Sequence, residues 1–232
     1  MLDTTNLLWY GEISVEFLFC LYLIWTKLSK TYPVFTTCLG FSAARAIAAI
    51  YFMRGAVGPR LPLVYTYFWL WTEPFWLLLQ MAVALEVHSK MWKDHGEVLR
   101  HTRPLLLFAL LTAFVAAGIP LHEEAARPGS SRLILIMHFG IQSTRYISSV
   151  VAIFLALSAL LFLIVVGNGR VHSEIRHDGL MAAYFGIYAI SAFLIDIGWV
   201  RAISINGYFL SALTLCFVAW FSIFKPQTAP GD

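Results

Sequence analysis

Residues 65–93 read YTYFWLWTEPFWLLLQMAVALEVHSKMWK. About 20 helical residues cross a bilayer, and this run is apolar and aromatic over more than that length. Yet Glu73, Gln80 and Glu86 sit inside it, and Pro74 follows Glu73 directly. Carboxylates within a spanning helix are costly in lipid and turn toward protein or water, so they mark a site. A proline there is tolerated where neighbouring groups satisfy the backbone it frees.

The rest of the chain has the same character. Of its 232 residues, 59% are hydrophobic and 12% charged, and the mean hydropathy is +0.74. A soluble domain is about a quarter charged and just under half apolar. The chain reads as an all-α, polytopic membrane protein whose first partner is the lipid bilayer. The net charge of +3 then acts as a topology signal, and no nucleic-acid partner is expected. Cys20, Cys38 and Cys216 lie in apolar runs without CxxC spacing, which argues for small buried hydrophobes instead of disulfides or a thiolate metal site. The opening MLDTTNLLWYGE has no positive region and no small-residue cleavage pattern. It is expected to be a retained span, not a signal peptide.

Seven segments are long enough to span, at about 5–26, 32–53, 64–91, 104–120, 132–167, 179–200 and 204–224. They form one domain over 1–232, a seven-transmembrane helix bundle. With the N-terminus outside, nine Lys and Arg of the connections fall inside and five outside, every lysine among the nine. That excess gives N-out, C-in. His95, His101, His172 and His177 fall in the inner connections and read as solvated loop residues. The segment 132–167 is too long for one crossing, so 132–144 either projects as helix or breaks near Gly140. The segment 104–120 has no polar residue beyond Thr112 and is expected to face lipid.

Seven charges fall at a similar outer level: Glu12, Glu16, Glu73 and Asp196 against Arg45, Arg145 and Arg201. Glu12 and Glu16 share a helical face, as do Glu73 and Gln80 with Trp69 and Trp76. His138, Gln142, Arg145 and Ser149 make one polar stripe. Glu16–Arg45 and Glu73–Arg145 are the pairs that could simply fix packing, and the outer aromatics fit an interfacial belt. The face Gly40, Ala44, Ala48 needs no function beyond close helix packing. Seven charges at one depth exceed what packing requires. The candidate ligand-binding set is Glu12, Glu16, Arg45, Glu73, Trp76, Gln80, His138, Gln142, Arg145 and Asp196. Glu86, about 220° round the helix from Glu73, belongs to another contact, with His88 or the inner loops.

Absences narrow the chemistry. A retinal Schiff base needs a buried lysine, and all five lysines lie at inner ends or loops. A b-type haem needs in-helix histidines, and only His88 and His138 approach that, at opposite ends. The Ser-x3-His and His-x3-His sets of seven-span zinc hydrolases do not occur. No GxSxG, P-loop or HExxH is present. Neither metal nor cofactor is expected, and no catalytic spacing is visible. The run Tyr67 to Pro74, followed by Leu85-Glu86-Val87, resembles a stretch in a group of uncharacterised bacterial seven-span integral membrane proteins. The resemblance covers about 25 residues and implies a bacterial inner-membrane setting, with no function attached. Three readings remain. The first is a receptor or sensor-like module that binds a small polar ligand from outside and signals through a separate membrane or cytoplasmic protein. The others are a proton-coupled small-solute transporter and a structural subunit of a membrane complex. An enzyme acting on lipid ranks behind these.

Overall fold

The computed structural model describes residues 4–55, 61–125, 132–166, 173–196 and 202–223. They form seven α-helices with no strand among them: α1 (Thr4–Trp25), α2 (Pro33–Gly55), α3 (Leu61–Met91), α4 (Gly96–Ala125), α5 (Arg132–Val166), α6 (Ser173–Asp196) and α7 (Ala202–Ile223). Four carry stretches long and apolar enough to cross a membrane, namely Pro33–Tyr51, Tyr67–Met91, Gly96–Ile119 and Gln142–Val165. By length and composition the chain is a multi-pass membrane protein. Its outer surface agrees with a lipid solvent. Phe108, Leu111, Val115 and Ile119 of α4 and Ile153, Leu157 and Ile164 of α5 are all exposed.

Six helices close a ring in the order α1, α2, α3, α5, α6, α7, with α7 packed back on α1 and α3 also touching α6. The fourth helix stands outside this ring. It packs on α5 and only lightly on α3, as its lack of polar residues suggested. The ring's interior is apolar and aromatic, built on Phe19, Phe35, Trp76, Ile147, Phe217 and Trp220 among others.

Two helices extend further than their apolar runs. α4 begins at Gly96, eight residues before the expected start, because its first two turns carry exposed Glu97, Arg100, His101 and Arg103. Such a turn is helical but leaves no hydropathy signal. α5 is unbroken through Gly140. Its 35 residues make a rod of about 52 Å at about 1.5 Å each, so the helical-projection alternative holds.

The start of α2 explains Glu86. Pro33 takes the first helical position, where a missing N–H costs nothing. The next N–H groups still need acceptors, and Tyr32 has no capping oxygen to reach them. The Glu86 carboxylate supplies both from α3. Val34 N–H donates to Oε1 at 3.2 Å and Phe35 N–H to Oε2 at 2.8 Å. The expected contact with His88 or the inner loops is therefore corrected: Glu86 caps α2.

Candidate functional site

Glu73 lies at the centre of the polar cluster. Arg45 of α2 pairs with one oxygen, Oε2. Thr144 of α5 donates to the other, Oε1, at 2.6 Å. Three helices are thus clasped on one buried carboxylate. The Arg45 guanidinium also sits 5.8 Å from the centre of the Trp69 ring, within cation–π range. Gly140 makes room for that ring. A Cβ at position 140 would stand 2.8 Å from Trp69 Cη2 and 3.6 Å from Glu73 Cγ. Any larger residue would push the indole off its place beside Arg45.

Neither of the two packing pairs that the sequence allowed forms. Arg45 goes to Glu73 instead of Glu16, and Glu73 is completed by Arg45 and Thr144 instead of Arg145. The physical reason is lateral order. α3 neighbours both α2 and α5 in the ring, so a central carboxylate on α3 meets side chains from each.

Glu12 and Glu16 are both buried on α1. Ser42 of α2 lies within hydrogen-bond reach of Glu16, while Glu16 Oε1 has no hydrogen-bond partner among the described residues. Gln80 is fully buried, and neither its amide nitrogen nor its oxygen finds a partner among those residues. Gln142 is buried as well, and Arg145 is half-buried with its guanidinium 5.6 Å from the Tyr146 ring centre. Trp76 belongs to the apolar core. The side chains of His138 and Asp196, and Arg201, lie outside the described residues.

Depth follows from helix position. Glu16, Glu73 and Thr144 each lie twelve residues in from the same end of their helices, at Thr4, Leu61 and Arg132. The apolar stretches of α3 and α5 begin only at Tyr67 and Gln142, so Glu73 lies about 9 Å and Thr144 about 3 Å inside them, near one end.

A second polar group lies at the other end of α3. Thr102 gives its proton to Val98 O at 2.8 Å, so His88 Nε2–H donates to Thr102 Oγ1 at 2.7 Å. That tautomer leaves Nδ1 as acceptor for the Ser158 hydroxyl at 2.9 Å. Ser158 in turn accepts the Trp92 indole N–H at 2.8 Å. Every donor and acceptor in this chain is used once, and α3, α4 and α5 are joined by it. The set was not seen in the sequence. A histidine and tryptophan four apart, facing a lone serine in an otherwise aliphatic run, was the available signal.

His177 is a correction. It does not sit in a solvated loop but is buried in the first turns of α6. Its ring meets Tyr32 edge-on at 4.8 Å and Phe35 at 5.1 Å, with Trp220 at 6.1 Å. Asp178, also buried, has no hydrogen-bond partner for either oxygen among the described residues. Both precede Gly179, where the apolar part of α6 begins. Burial pushes the Asp178 carboxyl up to about 8. Burial, helped by the charge of Lys90, pulls His177 down to about 3.

Among the described residues no group of three or more His, Cys, Asp or Glu could hold a metal ion. Comparison with family models, curated proteins and solved structures found no match for this chain.

Proposed function

We propose that the chain is a seven-span, N-out, C-in protein of a bacterial inner membrane and acts as a receptor or sensor-like module. On this reading a small polar ligand binds beside the Arg45–Glu73–Thr144 clasp and is read by a separate protein at the inner end. The observation that carries it is a set of buried polar atoms without partners among the described residues: Glu16 Oε1, and, about two turns further along α3 than Glu73, both ends of the Gln80 amide. Buried polar atoms are nearly always hydrogen-bonded, and each orphan costs about 1–3 kcal/mol. A ligand offering a cationic donor and a neutral polar group would recover part of that cost. Glu12 and Glu16 favour the positive charge, because the guanidinium of Arg45 is already committed to Glu73.

The test is a thermal-shift screen of purified protein against small amines, amino acids and other zwitterions, with Glu16→Gln and Gln80→Leu alongside. A compound that raises the midpoint of the wild type but of neither variant supports the reading. If no amine or zwitterion stabilises the wild type, or Glu16→Gln responds equally, the reading is wrong.

One observation favours transport as a second reading. The fourth helix stands outside a ring made of α1–α3 and α5–α7, the three-plus-one-plus-three layout expected for that class, and carboxylates within spanning helices suit proton coupling. Solute-dependent proton flux in proteoliposomes, abolished by Glu73→Gln, is its signature. Zero flux at every pH in both directions removes it.

A further inference from the structure

We propose that the groove between α1 and α2 holds one acyl chain of an anionic phospholipid, with the headgroup against Lys27 and Lys30. The groove has a volume of 540 Å³ and is lined by Cys20, Ile24, Thr36, Gly40 and Phe41, with Ser29 and Pro33 at the end where α1 turns into α2. From Pro33 to Phe41 it follows α2 for eight residues, about 12 Å. One leaflet of a core of about 30 Å is about 15 Å deep, so an acyl chain entering at the turn finds a matching trough.

The polar atoms in the lining are already occupied. Thr36 Oγ1 donates to Tyr32 O and Thr37 Oγ1 to Pro33 O, each at 2.8 Å. Cys20 Sγ lies 3.7 Å from Thr36 O. What remains is an apolar trough, kept open by the missing side chain at Gly40.

The charge sits at one end only. Lys27 and Lys30, both exposed, bracket Ser29 in the short turn Leu28–Lys30. Lys27 is the one non-glycine residue with positive φ among those described, at 60°, and the left-handed kink sets the turn beside the groove. The carboxylate of Glu86 at this end is engaged by the N–H groups of Val34 and Phe35. Lys90 lies 4.4 Å from the Tyr32 ring centre. Cations therefore dominate the mouth of an apolar trough in a membrane-crossing chain, and that pairing selects a phospholipid with net negative charge.

Native mass spectrometry of the whole protein, titrated with phosphatidylglycerol or phosphatidylcholine of equal chain length, tests this. The wild type is expected to bind one phosphatidylglycerol in preference to phosphatidylcholine. K27Q/K30Q should bind phosphatidylglycerol roughly 30-fold more weakly, two juxtamembrane lysines' worth, and lose the preference. T37W, at an exposed position, should block both lipids by filling the trough. Should T37W fail to fold, Gly40→Val fills the same space, its Cβ standing 3.7 Å from Cys20 Sγ, an ordinary contact. Equal binding of the two lipids by the wild type overturns the proposal. So does undiminished phosphatidylglycerol binding in K27Q/K30Q or in the filled variant.

Discussion

The Arg45–Glu73 pair makes a quantitative claim. Its side chains are 15% and 6% exposed, so both charges are largely withdrawn from solvent. Glu73→Gln keeps the shape and leaves the guanidinium buried without a counter-charge. Removing one partner of a buried pair costs about 3–5 kcal/mol. An ordinary polar contact between membrane helices is worth only about 0.6 kcal/mol on average and about 1.7 at most. The two expectations do not overlap, so the measurement discriminates. Arg45→Met strands the carboxylate, which keeps only the Thr144 hydroxyl, and falls in the same range as Glu73→Gln. The double variant Arg45→Met/Glu73→Met strands nothing. Its loss should lie below that of either single variant, with a coupling of about 3 kcal/mol in the cycle. The assay is unfolding in mixed micelles at rising denaturing-detergent fraction, followed by tryptophan fluorescence. Single-variant losses under about 1.7 kcal/mol, or a double variant that loses the sum of the two, would refute the clasp as a desolvated ion pair.

Three further outcomes follow from the geometry. Gly140→Ala drives a Cβ to 2.8 Å from the Trp69 ring, so it should destabilise by about 1–3 kcal/mol, the usual range for overpacking. Trp69→Leu in the same chain should relieve it, and a loss that persists there disproves the contact. Ser158→Ala removes the acceptor of Trp92 and the donor to His88, which should cost about 2–4 kcal/mol for two buried groups left unpaired; a change under about 1 kcal/mol would mean water replaces it. The third outcome concerns pH. Asp178 is raised from 3.8 to about 8 and His177 lowered from 6.5 to about 3. Between about pH 4 and 6.5 the folded state keeps the Asp proton while the unfolded state keeps the His proton, so the two slopes cancel. From about 6.5 to 8 only the folded state is protonated, at Asp178, so stability falls as pH rises. Asp178→Asn should abolish that fall and uncover the His177 slope, with stability rising from about pH 3 to 6.5. An unchanged profile of unfolding midpoint against pH contradicts the buried, proton-bound carboxyl.

Helix existence was legible because each apolar run is about 17 residues or longer, and that signal does not depend on neighbours, although only four helices are long and apolar enough to cross a membrane among the described residues. Helix ends were less so. The starts of α4 and α6 lie in polar turns, Glu97 to Arg103 and Ser173 to Asp178, where a helix exists without apolar periodicity, and this misplaced His177 in a loop. Within the site, Glu73 and Arg45 could be read singly from their cost in lipid. Their pairing could not, because periodicity orders residues along one helix and says nothing of which helices touch. Thr144 was missed for the same reason. It lies beside the stripe of Gln142, Arg145 and Ser149, and its role comes from where α3 presents Glu73. Gly140 was noticed only as a possible break. Its use is the space it leaves for Trp69.

On the proposed receptor reading, the two acids of α3 give a binding event at the clasp a route to the Pro33 end of α2. Glu73 and Glu86 both hold α2, one by the guanidinium of Arg45 and one by the first free N–H groups of the helix. They are thirteen residues apart, about 20 Å along α3, so α2 is strapped to α3 at two heights. Pro74 lies between the straps, immediately after Glu73, and removes one backbone hydrogen bond of α3 there. A cationic ligand that took Glu73 from Arg45 would release the upper strap alone. α2 would then stay pinned at Pro33, and its freedom would be a tilt about that end rather than a slide. The same end carries Tyr32, packed on His177 and Lys90, so a tilt would be felt first where α6 begins. Loss of the lower strap has the opposite signature. Glu86→Gln would weaken the cap by about 1 kcal/mol, leave the Arg45–Glu73 coupling intact, and separate the Pro33 end of α2 from whatever happens at the clasp.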